Sequence, residues 1–196
     1  MINTHKYQIM LLTAIIIFVG CAVVKPSFQT RAETEPQVLI AQQDSLLIAE
    51  KDNPKLISAL ILAHVHLGEI AYNNQSYTKA IDFYQNALKL DARSKPALYG
   101  ISMSKGHLLY KKGSSAALWD AIEQFGKSAV YLPEKGEPHY WMAKAYEKKD
   151  DGDFELIIEA YNVALSKELP DDLIKKATES RAEIQKAKTT FESFWK

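Results

Sequence analysis

The chain has 196 residues, 47% of them hydrophobic, enough for one domain of ordinary size with a continuous core. Lys plus Arg and Asp plus Glu balance at 24 each, so no basic field exists to attract nucleic acid, and the single cysteine excludes a disulfide framework or a thiolate metal cluster.

At the amino terminus, His5 and Lys6 precede an apolar run from Ile9 to Val19 broken only by Thr13, and Phe18-Val19-Gly20-Cys21 follows. The run is too brief for a comfortable transmembrane span. A short basic region, an apolar segment and small residues before a cysteine resemble a bacterial lipoprotein signal. The resemblance implies a signal peptide over 1–20, cleavage between Gly20 and Cys21, and acylation of Cys21, a membrane attachment that multiple acyl chains make stable at about 0.8 kcal/mol per buried methylene. Ala22 after the cysteine, rather than Asp, implies outer-membrane sorting with the domain facing the periplasm if the cell is Gram-negative. Because Ala22-Val23-Val24 extends the apolar run, an uncleaved anchor is the alternative. Residues 21–36 then read as a lipidated tether, rich in polar residues and proline and without apolar periodicity.

From Gln37 the pattern turns helical. Val38, Leu39, Ala41, Leu46 and Ala49 recur at three- and four-residue steps until Asp52-Asn53-Pro54, which predicts a lone opening helix over the first repeat. Asn53 is placed to cap the next helix and Pro54 to occupy its first turn, where a missing N–H costs nothing. That helix is predicted from Pro54 to about Asn73, and a partner from about Tyr77 to Leu90.

Counting from Ile61, Leu67 and Gly68 fall at positions seven and eight, Tyr77 at seventeen, Ala80 at twenty, Tyr84 at twenty-four and Ala87 at twenty-seven. This resembles the tetratricopeptide (TPR) pattern, with small residues where two antiparallel helices cross and aromatic rings beside them. The resemblance implies an all-α fold: a right-handed TPR solenoid of three helix-turn-helix repeats with an opening helix and a C-terminal capping helix, all within 37–196. The first repeat covers about 61–94, the second 95–135 and the third 136–171. In the second, Ala121, Phe125 and Pro133 take the places of Ala80, Tyr84 and Ala92, with seven extra residues between the landmarks. One added turn per helix accounts for them, and Leu109, Tyr110, Leu118 and Trp119 on those turns are expected to pack on one another. In the third, Met142, Ala143 and Tyr146 match the first helix, Ile157 replaces the crossing alanine, and Asp150 to Asp153 makes a solvated turn. A stripe of Leu173, Ala177, Ser180, Ile184, Ala187, Phe191 and Phe194 predicts a final helix over about 171–195, buried along one face as a cap.

Chemistry is not encoded in any recognisable constellation. His64 and His66 are two residues apart, on different helix faces, and no His-x-x-x-His, phosphate loop or nucleophile elbow occurs. The chain is therefore expected to be no enzyme and to need no cofactor or metal. By the resemblance, the first helix of each repeat lines a concave partner-binding groove: Leu62, Val65, Glu69, Tyr72 and Asn73; Pro96, Tyr99 and Met103; Tyr140, Lys144, Glu147 and Lys148. The carboxylate clamp of chaperone-binding relatives is lacking, since Val65, Glu69, Gly100, Glu137 and Trp141 stand at its positions and the two glutamates repel a carboxylate. The implied function is a lipid-anchored scaffold that binds a protein or peptide of a cell-envelope assembly. The alternative is a periplasmic companion of a transporter that closes on a solute or small ligand, which an enclosed pocket beneath the terminal helix would favour.

Overall fold

In the computed structural model, residues 26–149 and 152–194 are described; Cys21 and the signal segment lie outside them, as do Asp150, Asp151 and Trp195. The described residues form an all-α, TPR-like solenoid in which each helix packs on the next: α1 (Phe28–Thr34), α2 (Pro36–Ala41), α3 (Gln43–Ala49), α4 (Pro54–Asn73), α5 (Tyr77–Leu90), α6 (Lys95–Lys112), α7 (Ser115–Tyr131), α8 (Glu137–Lys149), α9 (Phe154–Leu165) and α10 (Asp171–Phe194).

Local chemistry sets the helix ends. The Asn53 side chain accepts from the backbone N–H groups of Lys55 and Leu56, with Pro54 directly after it. Gly113, at φ 74°, ends α6 in the left-handed conformation that a glycine takes without strain, and Ser114 caps α7 by accepting from Ala117 N–H at 3.3 Å. α4 is long and apolar enough to cross a bilayer by length and composition, with mean hydropathy 1.2, but 50% of that window is buried inside the solenoid.

The first crossing follows the predicted register. Ala80 and Ala87 are fully buried, and the Tyr84 ring lies between two helices. A Cβ at Gly68 would stand 2.5 Å from that ring, and one at Gly100 only 2.2 Å from it. Tyr84 is thus clamped by glycines of both flanking helices, which lets α5 seat against α4 and α6 together. In the second hairpin the equivalent ring is Phe125, but the residue against it is Gly106, not Ser102 at the spacing of the first repeat. The added turn of α6 therefore falls ahead of the crossing rather than at the loop end. Leu118 is buried against Ile122 and Ala145, with Tyr110, Met142 and Tyr146 around them, so the added residues of α7 pack on α8. Trp119 is 47% exposed; its ring meets the edge of Tyr146 and carries the Lys149 Nζ at 4.0 Å.

Three expectations are corrected. Residues 28–34 are no part of a tether: they form α1, capped by Ser27, whose Ala32 is fully buried in a cluster with Leu39, Leu56, Ala59, Leu60 and Ala63, while Phe28 packs at its edge. Phe28, Ala32 and Leu39 are too few and too widely spaced around Pro36 to show a period. The single opening helix is two, α2 and α3, broken at Gln42, and only Leu39 and Pro36 of that stretch are buried. The terminal stripe is buried only along its first part: Ala177 is fully covered, Leu173 and Ile184 pack at the edge of the core, but Phe191 and Phe194 are 55% and 86% exposed.

Candidate functional site

A groove of about 450 Å³ lies between α4 and α6 on one side and the segments 132–137 and 168–170 on the other. Glu69, Tyr72 and Asn73 come from α4, Pro96, Tyr99 and Met103 from α6, and Tyr84 and Gly100 form part of the floor. The far wall exists because the loop after α9 folds back onto the loop before α8. Gly136 N–H donates to Glu168 O at 2.7 Å, Glu168 N–H donates to Glu134 O at 2.9 Å, and Lys135 pairs with the Glu168 carboxylate at 2.8 Å. A Cβ at Gly136 would stand 2.4 Å from the Ala164 carbonyl oxygen, so only glycine permits this approach.

The inner end of the groove is a polar network set among rings. Tyr72 O–H donates to Glu137 Oε1 at 2.7 Å, and the Tyr72 oxygen lies 2.7 Å from His107 Nε2. The hydroxyl has one proton, so with that proton directed at Glu137 the Tyr72 oxygen accepts from His107 Nε2–H, which fixes the imidazole tautomer. Trp141 Nε1–H reaches the same Glu137 oxygen at 3.3 Å, and Tyr99 lines the groove with the carboxylate. His107 stacks flat on Tyr77 with centroids 4.7 Å apart, and meets Trp141 edge-on at 4.4 Å and Phe125 at 5.4 Å. Five helices, α4, α5, α6, α7 and α8, thus converge on one carboxylate and one imidazole.

Electrostatics follow from this enclosure. Burial pushes the Glu137 carboxyl up, against the pull of the hydrogen bonds from Tyr72 and Trp141. Burial lowers His107 to about 4, leaving it neutral near pH 7, and raises Tyr72 and Tyr99, so both phenols stay protonated donors. Glu69 is also raised by burial, offset in part by His66 and Lys135.

Of the groove residues implied by the TPR resemblance, Glu69, Tyr72, Asn73, Pro96, Tyr99 and Met103 do line this groove, Met103 as a fully buried floor residue. Four others do not. Leu62 packs at the edge of the cluster that covers α4 from the N-terminal side, and Val65, 6% exposed, sits in the core with Tyr84, Ala87 and Ala97. Tyr140, 5% exposed, packs on Tyr161 and Ile157, and Lys144 is tied to Glu147, which also accepts from Tyr161 O–H. In those places a neighbouring helix already packs against the residue that the resemblance assigns to a partner. Lys148 is likewise engaged, donating to Tyr110 O at 2.9 Å over the Tyr110 ring. Glu137 and Gly100 are central to the site, yet the sequence presents them only as residues that break a carboxylate clamp. The role of His107 has no sequence signal, because its partners are Tyr72, thirty-five positions before it, and rings on three other helices.

The terminal helix does not fill the groove. α10 packs chiefly on α9, and only the loop that precedes it, at Glu168, Leu169 and Pro170, reaches the groove wall. Beside α10 lies a separate, largely apolar cavity of about 670 Å³ bounded by Phe154, Ala187, Phe191 and Phe194. No group of His, Cys, Asp and Glu among the described residues has the arrangement to hold a metal ion.

No protein-family model matches the chain, and no curated protein does. Among solved structures, the chain is similar to "MamA 41-end from Desulfovibrio magneticus RS-1" at 15% identity, over 79% of this chain and 96% of that one, with a TM-score of 0.41.

Proposed function

We propose that this protein is a lipid-anchored scaffold, attached to a membrane through Cys21, that holds a polypeptide segment of a cell-envelope partner in the groove between α4 and α6. The supporting observation is the groove itself: rings of Tyr72 and Tyr99 stand beside a hydrogen-bonded carboxylate, giving large contact areas and fixed polar groups together. Tyrosine suits such a surface because it buries a ring with few rotors to immobilise and keeps a hydroxyl for hydrogen bonding. Within the groove network the imidazole is neutral near pH 7 and its Nε2 is engaged by Tyr72, which holds the tyrosine hydroxyl in place for a ligand.

Two experiments test the two halves of the proposal. A photo-crosslinking phenylalanine at Asn73, exposed on the groove rim, is expected to capture a discrete envelope protein in growing cells, and the same residue at exposed Ile48 is not. Absence of any adduct at Asn73 overturns the scaffold. For the anchor, Cys21→Ser is expected to leave an unprocessed precursor or release the protein from membranes. Unaltered processing and attachment overturn lipidation.

A further inference from the structure

The charge of the groove and the position of its deepest carboxylate select one kind of group. Three carboxylates line it, Glu69, Glu137 and Glu168, against one ammonium, Lys135. Lys135 is already paired with Glu168, so the uncompensated charges are Glu69 on the rim and Glu137 at the inner end. Tyr72 and Tyr99 line the same groove, with Pro96, Met103 and Leu169 as apolar parts of its surface. Glu137 accepts from Tyr72 of α4 and from Trp141 one turn along its own helix, so its carboxylate does not have to reorganise when a ligand arrives.

A cation on a flexible apolar stem fits this arrangement throughout: methylenes along the walls, ring faces beside the charge, and carboxylates at the rim and the end. An anion would meet two like charges, and a neutral side chain would leave Glu137 partly desolvated without compensation. We infer that the groove takes a basic side chain, Lys or Arg, presented by the bound polypeptide. The cavity of about 450 Å³ has room for one long side chain and its flanking backbone. This inference rests on the proposal that the groove binds a polypeptide.

The test uses the full chain, ¹⁵N-labelled in detergent micelles, and two capped tripeptides, Ac-Gly-Arg-Gly-NH₂ and its citrulline counterpart, nearly equal in shape and different by one charge. Trp141 Nε1–H donates to Glu137, so its indole resonance reports the inner end, while Trp119, against Tyr146 and Lys149, serves as a control. The arginine peptide is expected to shift the Trp141 signal saturably and to bind roughly tenfold more tightly than the citrulline peptide, with Trp119 unmoved. Glu137→Gln is expected to abolish the difference, and Glu69→Gln, on an exposed rim position where folding is not at stake, to reduce it. Equal binding of the two peptides, or no saturable shift with arginine, overturns the inference. In the Asn73 crosslinking experiment, an adduct that survives excess arginine peptide overturns it too while the scaffold stands. Loss of every adduct without competitor overturns the scaffold instead.

Discussion

At the first crossing, the Tyr84 ring is gripped between Gly68 and Gly100, closely enough that a Cβ on either would overlap it. Along α10, a stripe of equally regular spacing leaves Phe191 and Phe194 mostly in solvent. Periodicity is the same in the two places, so the difference lies in what faces the stripe. α5, with 14 residues, lies between α4 and α6, which have 20 and 18 and cover it along its whole length. α10 has 24 residues, about 36 Å at 1.5 Å per residue, and its main neighbour α9 has 12, about 18 Å. The last turns of α10, past Ile184, thus outrun most of that support, with Glu155 and Phe154 at the start of α9 reaching Lys188 and Phe191. A helical stripe shows which face is apolar, while burial depends on whether another element is long enough to meet it.

The sharpest way to break the comparison is at the clamp. Gly100→Leu places its first side-chain carbon where the Tyr84 ring already is, against helices that cannot part without disturbing α4 as well. The expected loss is about 3 kcal/mol or more, at the upper end of overpacking effects, read as a large drop in the thermal midpoint by circular dichroism. Gly68→Leu is expected to follow it closely. Pairing Gly100→Ala with Tyr84→Leu should recover part of what Gly100→Ala alone loses, and the absence of such coupling would show that the ring is not the obstacle.

A second difference between the regions is in their response to acid. His107 is buried among Tyr72 on α4, Tyr77 on α5, Phe125 on α7 and Trp141 on α8, with Glu137 reached through Tyr72. Its folded value near 4 lies below the ordinary 6.5, so the unfolded chain takes up the proton first. Stability is therefore complete above about pH 6.5 and is lost as pH falls through about 4, by on the order of 3 kcal/mol from this group. His64 and His139, both lowered by burial, add in the same direction. Glu137 opposes them, because a carboxyl raised by burial favours the folded state once protonated. Urea melts at pH 7, 5.5 and 4 are expected to show a net fall, and His107→Gln, which keeps a donor for Tyr72, should flatten it. An unchanged profile in that variant would remove His107 as the cause.

The crossing residues Gly68, Ala80, Tyr84 and Ala87 were legible in the sequence because each acts at a fixed spacing within one hairpin. So was the Asn53 cap, whose partners are two and three residues away. The groove was half legible. Tyr72 and Tyr99 follow from the repeat register, but the carboxylate between them comes from α8, sixty-five positions from Tyr72. Val65 and Tyr140 hold equivalent positions and are buried, since Ala97 covers the first and Tyr161 the second. α1 was hidden for a different reason: three apolar residues around a proline carry no period, and what orders them is the apolar N-terminal flank of α4, which they bury.

Gly136→Val tests the groove wall without touching the crossings. Its Cβ would press on the Ala164 carbonyl, so the 134–136 and 168–170 loops must separate. A cost of roughly 1 to 3 kcal/mol is expected, smaller than at the clamp because two loops yield more easily than three packed helices. Faster amide exchange confined to Gly136 and Glu168 would locate the damage, and uniform protection would show that the loops tolerate the change.

The smallest effect is expected at the end of α10. Truncation after Lys188 removes Phe191, whose ring meets Phe154 at 5.8 Å but is 55% exposed, and Phe194, which is 86% exposed. Full burial of such a ring contributes roughly 1.5 to 3 kcal/mol, and these two supply a minor fraction of that, so the loss should stay near or below about 1 kcal/mol and shift the thermal midpoint by only a few degrees. The sequence alone predicts the opposite, because the stripe from Leu173 to Phe194 is unbroken and a buried cap would be destabilised throughout. Ile184→Ala, within the part of α10 that packs on Tyr161 and Ile157, provides the contrast, with a cost of about 2 kcal/mol. If truncation proves the more damaging of the two, the last turns of α10 are well supported, and the length mismatch between α9 and α10 is not what decides burial there.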